Sequence, residues 1–191
     1  MPQMLNSVVV ARDRFLKPGG AMLPNEARIF CAPVNMQQQV DEKIGFWQNP
    51  IRGFDFGSMA PLAAQRLLSE PLITDVTPEQ LLAPPAQVAL IDCATVTLAQ
   101  LRDGAFGGAL PFLASRSGVC HGYAIWFEVG FPNEAVTLSA APGAPSTHWR
   151  QTVVWLPDML LATAGTSRLD CKLLLRSDPE QPRMCLLELE C

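Results

Sequence analysis

The chain has 191 residues and 20.8 kDa, enough for one full hydrophobic core or one domain plus an arm, and its 49% hydrophobic and 17% charged residues, with mean hydropathy +0.17, exclude a mainly disordered chain. A net charge of -4, from 14 basic and 18 acidic residues without a basic cluster, argues against a nucleic-acid partner, because phosphate binding needs grouped cations. No apolar stretch approaches the roughly 20 residues that cross a bilayer, and Met1 to Ser7 lacks the charged and apolar regions of a signal peptide, so the sequence reads as intracellular with no membrane partner.

From the amino terminus, Met4, Leu5, Val8, Ala11 and Phe15 recur at steps of three and four, which predicts an amphipathic helix over 2–16 stopped by Pro18-Gly19-Gly20. The helix starts almost at the first residue and the chain ends within a strand-like run, 184–191, so both ends read as cut from something larger. Ala27 to Ala32 reads as a strand. Gln-rich 36–43, the pair Phe46-Trp47 and the Ala/Leu-rich 59–68 then predict two short helices around an aromatic elbow, with too little core of their own to stand alone. Their aromatics, Phe46, Trp47, Phe54 and Phe56, either anchor this excursion to its own domain or insert into another subunit.

From Leu72 onward, short apolar runs separated by Pro, Gly, Asp and Ser predict an antiparallel sandwich or barrel. In 121–131 Tyr123, Ile125, Phe127, Val129 and Phe131 alternate with smaller or polar residues, predicting a long strand with one face in a core. Further strands are expected at 88–94, 135–139, 151–156, 169–175 and 184–190.

Six cysteines lie far apart without a Cys-x-x-Cys pair, so they read as free, mostly buried thiols, and no metal site is expected. Of the two histidines, His121 opens the long strand and reads as a hydrogen-bonded sheet residue. His148 lies in Ser146-Thr147-His148-Trp149-Arg150, between a turn-rich stretch and a strand, where binding residues often sit; the plainer reading has Thr147 bonding its own loop and Trp149 packed on the sheet. Neither Gly19-Gly20 nor Gly107-Gly108 continues into a Gly-x-Gly-x-x-Gly loop, and no nucleophile elbow is present.

Taken in order, 11–20 (ending Leu16-Lys17-Pro18-Gly19-Gly20), Pro24, a strand, Phe46-Trp47, Gly53-Phe54-Asp55, 121–127, 138–142 and Thr147-His148-Trp149-Arg150-Gln151-Thr152 resemble the carboxy-terminal part of a type I protein arginine methyltransferase over nearly the whole chain. That resemblance implies a mainly β fold: an antiparallel β-barrel over 25–191 with a helical dimerisation arm at about 38–62, preceded over 1–24 by the last helix and strand of a Rossmann-like methyltransferase domain. It further implies an enzyme that moves a methyl group from S-adenosyl-L-methionine to the guanidinium of arginine in protein substrates, making asymmetric dimethylarginine. Thr147, His148 and Trp149 would form one wall of the arginine site, with His148 as the catalytic residue, and Phe46, Trp47 and Phe54 would carry a homodimer.

The family's Gly-x-Gly cofactor motif and two-glutamate hairpin lie upstream of the matching region, so this chain alone is expected to bind no cofactor and to be inactive. Arg52 stands where the family usually has Tyr, placing a charge where an aromatic contact is expected. The alternative is a non-enzymatic barrel module that dimerises with an active arginine methyltransferase and regulates it.

Overall fold

A computed structural model describes residues 2–132, 137–181 and 185–191. Helix α1 (Pro2–Phe15) is followed by strand β1 (Glu26–Val34). A helical stretch, α2 (37–48), passes through a π-type turn at Asp41–Gly45, and α3 (Ala60–Leu68) returns the chain to β2 (Leu72–Thr74). Then come β3 (Ala86–Asp92), α4 (Leu98–Asp103), β4 (Phe106–Leu110), β5 (Gly118–Gly130), β6 (Thr137–Ser139), β7 (Gln151–Ala162), β8 (Cys171–Ser177) and β9 (Cys185–Glu190). The expected strand starts at Ala135 and Met184 lie outside the described residues.

The strands form two antiparallel sheets in place of the expected closed barrel. A six-stranded sheet runs β2-β7-β5-β1-β3 with β6 on β5, and a three-stranded sheet runs β4-β8-β9. Among the described residues the ladders do not join into a ring; apolar packing holds the sheets together. One core lies between them, where Cys31, Tyr123 and Ile125 of the larger sheet meet Leu110, Cys171 and Leu173 of the smaller. The strand after Pro24 is a central strand of this sheet, paired with β3 and β5, while 2–24 hold helix α1 and no strand.

The long strand β5 also departs from its expected one-sided burial. Its other face, with Ala124 and Trp126, enters a second core with Val34, Met36, Val76, Val153 and Trp155. Val40, Leu67 and Leu72, at the base of the helical excursion, pack on that core. Alternating large and small side chains therefore serves two cores of different depth. At Gly122 the β5–β7 register shifts, and a Cβ there would run into the Val154 carbonyl, so only glycine fits the close approach.

A third cluster joins α1 and α4 to the sheet through Val9, Ala27, Ile91, Val96 and Leu101. Helix α1 is rotated from the expected face: Val9 is buried, Phe15 is 80% exposed, and Arg12 donates to the carbonyls of Cys93 (2.9 Å) and Val96 (2.8 Å). Two buried carbonyls matched by one guanidinium outweigh burial of a terminal phenylalanine. Helix α4 starts with a capping box, in which Thr97 Oγ1 accepts from the Gln100 amide at 3.2 Å while Gln100 Oε1 accepts from the Thr97 amide at 2.9 Å.

His121 ties β5 to the base of the helical excursion. It is buried, its Nδ1 accepts from the Met36 amide at 3.1 Å, and its Nε2 has no partner. Burial pushes its pKa below the ordinary value, against smaller opposing pulls from the Val119 backbone and Asp41. An imidazole with a depressed folded pKa is charged first in the unfolded chain, so stability is complete above the ordinary value of about 6.5 and falls as pH drops through it. We expect the urea midpoint to fall between about pH 7.5 and pH 5.5, and to fall less in His121→Gln. An equal drop in both proteins would show that another group governs the transition.

Candidate functional site

The loop between β6 and β7 carries Thr147, His148 and Trp149, and its two ends are fixed by hydrogen bonds. Buried Gln151, the first residue of β7, accepts from the Val76 amide through Oε1 (2.6 Å) and donates from Nε2 to the Ala140 carbonyl (2.7 Å). At the loop's start the Ala140 amide donates to Phe127 O at 3.0 Å. The Arg150 amide closes a turn on the Thr147 carbonyl at 3.3 Å, with Arg150 in the left-handed region at φ 51°. Asp75 clips the loop from outside, accepting from the Ser146 hydroxyl at 3.4 Å and pairing with Arg150 Nε at 3.5 Å.

These restraints present an aromatic edge. Trp149 lies edge-on to Phe127 of β5, with centroids 5.5 Å apart and planes at 80°, and His148 packs on Trp149 at 4.0 Å. Trp149 remains 40% exposed, His148 is exposed, and the buried Thr147 Oγ1 has no partner. Thr147 bonds its own loop through its carbonyl and not its hydroxyl. A cavity of about 370 Å³ beside Trp149 is lined by apolar residues including Ile29, Ile91 and Leu187, with Arg150 and Arg176 its charged members. None of the described residues lining it is a carboxylate.

A second candidate surface lies on the helical excursion. Phe46 packs edge-on against Trp47 at 5.1 Å and is 51% exposed, and Phe54 is 70% exposed. Phe56, Met59 and Leu62 are exposed nearby in sequence. Phe54 sits at a two-residue hairpin, where the Ile51 and Phe54 backbones exchange hydrogen bonds of 2.9 and 3.0 Å and Arg52 and Gly53 have φ of 51° and 84°. Positive φ at both central positions defines a type I′ turn, natural for Gly53 and costing Arg52 about 1 kcal/mol or more. No ring contact joins this surface to Trp149 among the described residues.

The arginine methyltransferase oligomerization subdomain matches residues 25–190. The chain belongs to the protein arginine methyltransferase family. It corresponds to the oligomerization region at the carboxy-terminal end of such proteins. It is 37% identical over 168 residues to protein arginine N-methyltransferase 6 of Xenopus laevis, covering 85% of this chain and 48% of that protein. For the enzyme of the same name from Danio rerio the identity is 38% over 160 residues, covering 81% and 45%. The chain thus spans about half the length of these relatives.

Among solved structures, the Trypanosoma brucei PRMT1 enzyme–prozyme heterotetrameric complex with AdoHcy is similar at TM-score 0.79 and 28% identity, over 97% of this chain and 57% of that one. A crystal structure of PRMT6 with SAH shares the fold at TM-score 0.74 and 23% identity, over 98% and 62%.

The arginine methyltransferase family uses S-adenosyl-L-methionine, and the glycine pairs of this chain do not fit that group. Gly107 and Gly108 lie within β4, paired with Leu174 and Leu173, and Gly19-Gly20 follows the end of α1. Neither pair forms the strand-to-helix turn that brings backbone amides to a cofactor. The sequence singles out Thr147, His148 and Trp149 but not the residues that hold their loop, Asp75, Phe127 and Gln151. Of these, Phe127 carried a signal, as a large residue near the middle of the alternating run.

Proposed function

We propose that this chain is the substrate-side and assembly portion of a type I protein arginine methyltransferase, one that transfers methyl groups from S-adenosyl-L-methionine to arginine in protein substrates and makes asymmetric dimethylarginine. Residues 25–191 are the substrate domain, 1–24 join it to the cofactor domain, and the arm at about 38–62 forms a homodimer through Phe46, Trp47 and Phe54. We place the protein inside the cell, in cytoplasm or nucleus.

The observation that carries this reading is the aromatic edge of Phe127, Trp149 and His148, held just before the start of β7. An arginine guanidinium is planar and permanently charged, so an indole face can hold it by stacking while carboxylates supply the counter-charge. In this reading the counter-charge comes from the glutamate hairpin that the family carries upstream of the matching region. His148 orients the neighbouring groups. Methyl transfer depends on alignment of the attacking nitrogen, so a wall that fixes the guanidinium plane contributes through orientation.

In the full-length natural protein, Trp149→Ala should lower kcat/KM for an arginine peptide about tenfold to a hundredfold, with the oligomeric state unchanged. An unaltered kcat/KM would remove Trp149 from the site.

A second reading, a non-enzymatic module that pairs with an active methyltransferase and regulates it, is favoured by the similarity to an enzyme–prozyme complex. It uses the same arm but needs no aromatic wall.

A further inference from the structure

We propose that Cys171 and Cys191 are a redox-active pair that closes to a disulfide when the protein meets a hydroperoxide, tying the start of β8 to the residue after β9. The β8–β9 register pairs Lys172 with Glu190 and Leu173 with Leu189, so one further step sets Cys191 opposite Cys171. Antiparallel partners have Cα atoms about 4.5–5.5 Å apart, inside the roughly 4.4–6.8 Å window of a disulfide. Two further observations place the thiols together. The Tyr123 hydroxyl, whose own proton goes to the Leu169 carbonyl at 2.9 Å, lowers the pKa of both thiols. Both also line one surface cleft with the ion pairs Arg168–Asp170 and Lys172–Glu190.

The roles divide by access. Cys191 is exposed and Cys171 is buried. A hydrogen bond from the neighbouring Cys31 thiol lowers the Cys171 pKa, the Tyr123 hydroxyl adds to that shift, and burial and Asp170 oppose it. The hydrogen bond with Cys171 and burial raise Cys31, and burial raises Cys120 (to about 11) and Cys191 alike, so access, and not acidity, makes Cys191 the first thiol to meet the peroxide while Cys31 and Cys120 stay buried.

The Cys191 sulfur attacks the peroxide and the O–O bond breaks. An S–OH group forms, and the other oxygen leaves as water with the thiol proton. The Cys171 sulfur then attacks the Cys191 sulfenic sulfur, forming the S–S bond and releasing hydroxide, which takes the Cys171 proton to give a second water. Two thiols lose two electrons in all, and one hydroperoxide gains them.

The test is to treat the chain with hydrogen peroxide, block remaining thiols, and map linked peptides and intact mass without reductant, beside Cys191→Ser and Cys185→Ser. The expected result is a loss of two hydrogens, one peptide pair joining Cys171 to Cys191, reversal by thiol reductant, absence of the link in Cys191→Ser, and persistence in Cys185→Ser. Oxygen additions at Cys191 without a link, a link to Cys31 or Cys185 in place of Cys171, or only intermolecular links would each overturn the proposal.

Discussion

If the arm forms the proposed homodimer, replacing Phe46, Trp47 and Phe54 together with alanine weakens self-association of this chain by about a thousandfold or more. Aromatic residues at the centre of an interface each contribute about 2 kcal/mol or more on truncation, and every 1.4 kcal/mol is about tenfold in the dissociation constant. Even with strong non-additivity, three such anchors leave roughly 4 kcal/mol to lose. The fold should survive, because Phe46 and Phe54 are largely exposed and the excursion is fastened at its base by Val40, Leu67 and Leu72 and by the bond from the Met36 amide to His121. Sedimentation equilibrium on the wild type and triple variant reads the change directly. An unchanged association constant, with an unchanged circular dichroism spectrum, would move the interface away from the arm.

The Gln151→Leu exchange should cost about 3 kcal/mol of folding stability, the largest effect expected of any single polar residue described here. Leucine fills much of the space but leaves the Val76 amide and the Ala140 carbonyl without their partner. Each orphaned buried group carries a desolvation penalty of about 1–3 kcal/mol. Gln151→Glu keeps the acceptor for Val76 but buries a carboxylate with one oxygen against the Ala140 carbonyl, so in urea denaturation near neutral pH it should lose at least as much as Gln151→Leu. Limited proteolysis over 141–150 should quicken in parallel, because Gln151 holds both flanks of the Trp149 loop. A loss below about 0.5 kcal/mol would mean that solvent replaces both bonds.

Periodicity in the sequence located β5, the start of β7 and α3, because each buries its side chains at the spacing of its own backbone. It could not show that β5 is buried on both faces, since small residues such as Ala124 suit a shallow core as well as a surface. Strand β4 went unrecognised because glycines fill the middle of Phe106-Gly107-Gly108-Ala109-Leu110, and α4 because its Thr97–Gln100 capping signal precedes only one and a half turns. Two sheets instead of a barrel follow from tertiary pairing, which the alternation of single strands does not encode.

The family itself was legible in the ordered short motifs, and the match over 25–190 bears that out. Two supports of the Trp149 loop, Asp75 and Gln151, were not legible as such. Gln151 and Val76 are 75 residues apart, and only folding makes them neighbours.

Methyl transfer by the full-length natural protein, purified without any other subunit and given labelled S-adenosyl-L-methionine and an arginine-containing peptide, is the most direct measurement. If this chain is the substrate side of an arginine methyltransferase, label enters the arginine guanidinium, and it does not enter a peptide with lysine in its place. No transfer by the protein alone, with transfer gained when an active arginine methyltransferase subunit is added, would contradict the enzymatic reading and make the chain part of a regulatory partner.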